Sequence, residues 1–430
     1  MYSKHKRTAF FLRAYNDVDQ ISPLIAEYIL NKQNPLVVIT SDINLENDYR
    51  INYLKGLGDI EFFRNVDKEH VKFSKKKNIF SKILNRLYLI KRNRKNILGK
   101  IYRYFFFDCK DQVEFLKSKN IGVCVFEAGS PFERGIIREK YFFAAKGLGI
   151  ITVALPHGCN LFLNPDVTIG YRKLAYKGIV QDQSDRNLYD YYIIQNPIRR
   201  DGWIKWGYDN VRTQAWGSLR FFPEWAAKNK EICPKFNFKG KSNEKTKIAF
   251  MQFQKEYNLD NYSVFDTLKK ISFLQDTLLI VKDTTREGKE YGQDYKTKKR
   301  KKFGQSLVGW YGNEVHSPAL IDWADVVIVV GGSSIGMEVI LQNKILINPV
   351  YLDTNTTLYE YFEAAHCPNS YEELENFLKQ VIKKKPIPKL PGTDKLIKEI
   401  VYAGKEYFNV PKKHYEQLKE INLNYGKTIK

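Results

Sequence analysis

The sequence predicts an α/β protein built from two doubly wound parallel-sheet domains that face each other across a cleft. Apolar runs of strand length alternate with helix-period segments along nearly the whole chain. With 430 residues, the chain is too long for one ordinary core and comfortable for two domains of roughly 150–200 residues. A charged stretch containing Gly and Pro, KNKEICPKFNFKGKSNEKT from Lys228 to Thr246, separates two such series. The division expected is a first domain over 1–228, a linker over 229–246, a second domain over 247–385, and a helical tail over 386–430 able to fold back on the first domain.

The first series opens with a strand at Thr8 to Leu12, a loop RAYNDVD, a helix from about Ile21 to Asn31 and the strand PLVVITSD. This β-loop-α-β order starts a parallel sheet, whose ligands bind beyond the carboxyl ends of the strands. IGVCVFEAG reads as a strand ending at Glu127 and GIITVALPHG as one ending near His157, which places both residues on that edge. The second series restarts with KIAFMQFQ, a helix near Val264 to Leu274, the strand TLLIVKD, a charged loop and the strand SLVGWYG. VVIVVGGSSIGMEVI follows. Its five β-branched residues run into Gly331-Gly332-Ser333-Ser334 and then into apolar positions at helical spacing, the pattern of a buried strand, a tight turn and a helix. Small residues at a helix start leave N–H groups uncovered for an anion such as phosphate, although a serine-capped βα turn has the same pattern.

The formal net charge of +22 suggests an acidic partner. From Lys72 to Arg103 there are many Lys and Arg and no acid, while Ile79, Phe80, Ile83, Leu84, Leu87 and Tyr88 recur at helical spacing. Such a helix suits an anionic membrane face, or else packs on a core with a solvated basic side. No recognition helix, zinc finger or RNP-like pattern accompanies the charge, so nucleic acid is not expected. The five cysteines lie far apart, with no CxxC pair and no Cys/His cluster for zinc, as in a reduced cytosolic protein. The four-residue apolar run before Arg13 is too short for a signal-peptide core, and no run approaches the ~18 apolar residues of a spanning helix.

Several of these stretches resemble one family. ADVVIVVGGSSIGMEVILQNKILINP is similar to the second-domain signature of GT-B glycosyltransferases, and WGSLRFF to the segment that leaves their first domain. LPHG resembles the His-Gly motif of bacterial CDP-glycerol phosphotransferases and of capsule and lipopolysaccharide transferases. LIVKD stands where many members carry Lys-Pro-His-Pro, so Lys282-Asp283-Thr284 replaces the second His-Pro pair. The resemblance implies a GT-B-like pair of Rossmann-like domains. It implies that Gly332, Ser333 and Ser334 hold the nucleotide phosphates and that Glu338 bonds the ribose. Glu338 lies one turn past Ser334, about 6 Å along a helix.

A transferase needs a base for the acceptor hydroxyl and cations for the departing nucleotide. His157 is the first candidate base, since its unperturbed pKa of about 6.5 suits proton removal near neutrality; Glu127 and Asp17 are its rivals. Lys282, Arg286 and Arg220 are the donor-side cations, with Arg13 and Asn16 on the acceptor side. No metal and no cofactor is expected. Asp17-Val18-Asp19 spells a DxD, but far from the phosphate turn, and Asp19 reads more simply as helping to start the following helix. The function implied is transfer of a sugar from a nucleotide sugar to a surface-glycan acceptor, lipid-linked, at the cytoplasmic membrane face of a bacterium. The alternatives are CDP-polyol phosphotransfer, a non-hydrolysing UDP-sugar 2-epimerase, and a catalytically silent nucleotide- or glycan-binding partner.

Overall fold

The computed structural model describes residues 6–41, 43–65, 109–132, 136–156, 158, 161–238, 240, 244–251, 257–283, 303–312 and 314–425. Among them, seven strands form one sheet: β1 (Arg7–Leu12), β2 (Leu36–Ile39), β3 (Glu61–Arg64), β4 (Ile121–Glu127), β5 (Ile151–Leu155), β6 (Tyr191–Ile194) and β7 (Thr213–Ala215). Their order is β3-β2-β1-β4-β5-β6-β7, with every pair parallel. A second parallel sheet runs β10-β9-β8-β11-β12, from β8 (Thr246–Met251), β9 (Thr277–Lys282), β10 (Leu307–Tyr311), β11 (Val326–Val329) and β12 (Ile345–Ile347). The central strands are buried on both faces, which is why they read as unbroken apolar runs rather than alternating ones. Strand order reverses between β1 and β4 and between β8 and β11, so Arg13, Glu127 and the Gly331–Ser334 turn all stand at switch points.

Two expectations change. The helix after β1 begins at Tyr15, not near Ile21, so Asn16, Asp17 and Asp19 are helical. The Asp17 carboxylate fixes this earlier start by accepting the N–H groups of Arg13 (2.7 Å) and Ala14 (2.9 Å). Asp19 therefore does not start the helix. The expected linker also begins as helix: Pro223–Ile232 has its proline in the first turn and buries Trp225 and Asn229, leaving its charges outside. The basic segment Lys72–Arg103 lies outside the described residues.

Among the described residues, the two sheets are also joined away from the cleft. The segment Leu161–Leu163, after β5, pairs with 356–358 beside the second sheet: Leu163 N–H donates to Thr356 O (2.8 Å) and Leu358 N–H to Leu161 O (2.7 Å). Next to it the Asn355 side chain accepts from Asn164, Arg172 and Asn258 and donates to the carbonyls of Val167 and Tyr257. The second junction is the C-terminal helix Val410–Tyr425, which crosses back to the helix after β1, with Tyr28 edge-on to Tyr415 at 4.9 Å. Trp216 packs on the buried His414, and Gly217, at φ +89°, passes so close to the helix Gly392–Tyr402 that a Cβ would lie 2.2 Å from Val401 O.

Candidate active site in the interdomain cleft

The first-domain edge brings Arg13, Asp17 and Glu127 together. Arg13 donates from Nε to Glu127 Oε1 (2.8 Å) and from Nη2 to Oε2 (3.3 Å), and the Glu127 side chain is wholly buried. Asp17 is equally buried beside it. Burial, reinforced by the adjacent Glu127 charge and a hydrogen bond with it, raises the Asp17 pKa well above the carboxylate range despite the opposing pull of Arg13. The proton that burial favours on Asp17 thus sits beside a Glu127 carboxylate that is paired with Arg13. A buried Arg138 fixes the backbone behind them, donating to the carbonyls of Glu127 (2.7 Å) and Ser130 (3.1 Å).

The second-domain turn is held from several sides. Gly331 takes φ +65°, Asn348 donates to the carbonyls of Val329 (2.8 Å) and Gly331 (3.0 Å), and Tyr359 donates to Ser333 O (2.6 Å). Both glycines are buried, and Phe162 covers Gly332: a Cβ there would come within 2.7 Å of its ring, and Leu161 N–H donates to Gly332 O. Ser333 is buried, while Ser334 and Ile335, where the helix Ile335–Leu341 starts, reach the surface. Among the described residues the N–H groups of Ser333, Ser334 and Ile335 meet no acceptor.

Between these edges lies a cavity of about 240 Å³, lined by both domains and including Asn16, Asn44, Asn47, Tyr49, His316 and Glu338. Five side chains alternate in charge along it. Asp48 Oδ2 pairs with Arg50 Nη2 (2.6 Å), Arg50 with Asp19, Asp19 Oδ2 with Arg220 Nη1 (3.5 Å), and Arg220 Nε with Glu338 Oε1 (2.9 Å). Three carboxylates thus face two guanidinium groups, and Glu338 Oε2 is buried without a partner among the described residues. Tyr49 carries Arg50 over its ring at 4.9 Å, donates its hydroxyl to Asn229 (2.9 Å) and meets His316 edge-on at 4.9 Å. Burial, then the charges of Arg50 and Lys282, lower the His316 pKa, so the imidazole is neutral at physiological pH.

Of the residues named from sequence, Asn16, Arg220 and Glu338 line the cavity, whereas Arg13, Asp17 and Glu127 form their own cluster at the end of β1 and β4. The turn Gly332 to Ser334 precedes Glu338 by one helical turn and does not itself line the cavity. Lys282 is not presented to the cleft: its buried Nζ donates to Gly312 O (2.8 Å), and burial lowers its pKa to about 8. His157 and Arg286 lie outside the described residues. Sequence reasoning missed Asp48, Tyr49, Arg50 and His316. The only local signals lay within Asp48–Arg50, where Asp48 caps a helix by accepting from Arg50 N–H; the ties of these residues to Asp19, Asn229 and His316 are long-range.

Two parallel α/β domains with a cleft at the carboxyl ends of their strands define a GT-B-like fold. In sequence, no family model matches the chain and no curated protein matches it. Solved structures do match. A Listeria monocytogenes protein assigned as a UDP-N-acetylglucosamine 2-epimerase has TM-score 0.55 at 10% identity, over 98% of this chain and 97% of that one. A glycosyltransferase from Rickettsia africae has TM-score 0.51 at 14% identity, over 97% and 99%. The Anabaena protein HepE, in complex with UDP and glucose, has TM-score 0.51 at 12% identity, over 97% and 99%. At such identities the likeness is one of fold.

Proposed function

We propose that the protein is an enzyme that binds a nucleotide sugar in the interdomain cleft and transfers the sugar to a surface-glycan acceptor. The observation that carries this reading is the position of Glu338: a buried carboxylate with one unpaired oxygen, on the cavity wall, one turn past the N–H groups of Ser333 to Ile335. Glu338 would accept the ribose hydroxyls and the helix start would face a phosphate, with Arg220 bonded to Glu338 beside them. In transfer, the acceptor oxygen attacks the anomeric carbon, its proton passes to a base, and the bond from that carbon to the nucleotide phosphate breaks. Glu127, paired with Arg13, is the described candidate for the base, and His157 is its rival. The basic segment Lys72–Arg103 would hold the enzyme against an anionic cytoplasmic membrane face, where a lipid-linked acceptor resides.

A second reading, 2-epimerisation of a UDP sugar, is favoured by the Asp17–Glu127 pair. Two buried carboxyl groups side by side, one with its pKa raised by burial and by its neighbour, offer the groups needed to remove and return a proton. The fold neighbours include proteins named for each chemistry. The test is calorimetric binding of CMP, CDP, UDP and GDP to the parent and to Ser334→Leu, then product analysis with the matching nucleotide sugars. Binding lost in Ser334→Leu, with a glycosylated acceptor as product, supports transfer, whereas a 2-epimer formed without acceptor replaces it by epimerisation. Binding of no nucleotide would remove both.

A further inference from the structure

The helix Ile169–Tyr176 buries none of its residues, which is unusual for a helix between two core strands. It is held by a few specific ties. The Thr168 hydroxyl caps it by accepting Tyr171 N–H (3.2 Å), Tyr171 meets Trp206 edge-on at 6.1 Å, and Arg172 pairs with Asp166 (3.0 Å) and reaches Thr354 of the second domain. Gly178, at φ +66°, ends it and turns the chain so that Ile179 N–H returns to Leu174 O (3.0 Å). The rest faces outward. Ile169 is 45% exposed, Tyr176 84%, Ile179 50% and Val180 73%, with the exposed Lys173 and Lys177 among them. Within the helix Ile169, Lys173 and Tyr176 follow at steps of four and three and so share one face, and the exposed Lys177, Ile179 and Val180 continue from its C-terminal end. No acid occurs from Val167 to Gln181. The bordering carboxylates are engaged: Asp166 with Arg172, and Asp182 with Ser184 N–H.

We propose that this face is a docking surface for an anionic lipid bilayer, with Ile169, Tyr176, Ile179 and Val180 entering the interfacial region and Lys173 and Lys177 meeting the headgroups. Apolar side chains between lysines on one exposed face match the two layers of a membrane interface, and a protein of net charge +22 is drawn to such a surface as a whole. A second copy of the chain fits less well. A two-fold contact through this face would set Lys173 and Lys177 against their own counterparts with no acid in the stretch to meet them. Aliphatic side chains likewise have no partner on a phosphate backbone. The surface is separate in sequence from Lys72–Arg103 and holds or fails on its own.

The experiment is co-sedimentation of the full chain with phosphatidylcholine vesicles made with and without phosphatidylglycerol. Four proteins are compared: the parent; the triple variant Ile169→Ser, Tyr176→Ser, Val180→Ser; the pair Lys173→Gln, Lys177→Gln; and a variant with Lys75, Lys76, Lys77, Lys82 and Arg86 changed to Gln. The apolar variant should lower the partition coefficient on anionic vesicles by on the order of a hundredfold, and the loss should persist in high salt. The lysine pair should weaken binding only at low salt. All replaced residues of the helix are solvent-facing, so circular dichroism and melting temperature should match the parent. Equal partition of the parent and the apolar variant on anionic vesicles overturns the proposal, as does a parent that binds neither vesicle. A parent that is dimeric in sedimentation equilibrium, becomes monomeric in the apolar variant and ignores vesicles assigns the face to a second copy instead. Loss of binding confined to the Lys75–Arg86 variant keeps the membrane reading while removing this helix from it.

Discussion

Asp17 and Asp19 are two residues apart, yet their surroundings assign them different tasks. Asp17 points inward, caps its own helix and shares a buried site with Glu127; Asp19 points into the cleft between Arg50 and Arg220. If the Glu127 carboxylate is the base, Glu127→Gln should reduce turnover by ~10²–10⁴-fold while nucleotide affinity, read by calorimetry, stays near the parent's. An unchanged turnover would transfer the role to His157. Lys282→Met, by contrast, removes a buried amine whose described hydrogen bond is to Gly312 O and should change nucleotide affinity by less than about threefold. Asp353 offers a test of pH linkage. Burial raises its pKa to about 7, against about 3.9 in an unfolded chain, so the native state binds the extra proton. Its contribution is full below about pH 4 and is lost as the pH rises towards 7. Asp353→Asn, which keeps the acceptor for Asn355 N–H, should therefore match the parent in acid and exceed it in urea-unfolding stability at pH 8.

At the scale of elements, two glycines with positive φ separate strain from crowding. Gly178 has open space where a Cβ would go, so Gly178→Ala should cost only about 1 kcal/mol for its left-handed backbone. Gly217 has the same handedness but faces Val401 O at 2.2 Å, so Gly217→Ala should cost about 2–4 kcal/mol by thermal unfolding. Equal melting temperatures for the two variants would mean that Trp216-Gly217-Ser218 does not pack as tightly on Gly392–Tyr402 as described. The approach matters for the site. Arg220 is three residues beyond Gly217, and that bend carries it from the edge of the first sheet to Glu338 of the second domain.

At the scale of the whole molecule, the cleft keeps its shape because the domains are tied independently of any ligand. The Asn355 side chain satisfies three donors and two acceptors drawn from both sides of the junction. Truncation to Ala would orphan them, so Asn355→Ala should lose about 2–4 kcal/mol, and in scanning calorimetry the parent's unfolding should separate into two transitions as the domains uncouple. A single cooperative transition with an unchanged midpoint would show that the C-terminal helix alone suffices to couple them. No helix among the described residues is long and apolar enough to cross a membrane.

What the sequence determined by itself was local: the parallel strand series, the small-residue turn after β11, and Glu338 one turn beyond it. A side chain's period is bound to its backbone geometry, so strands, turns and helices are written at short range. It misplaced the start of the first helix because the decisive contact is the Asp17 carboxylate on two backbone N–H groups, which no apolar period records. Only the tertiary structure decided that Phe162 covers Gly332, that Lys282 is turned inward, and that Arg50, Asp19, Arg220 and Glu338 form one chain. Arg220 and Glu338 are 118 residues apart. Their meeting depends on which strands neighbour which and on how two sheets face one another, and those are properties of packing that short-range patterns do not contain.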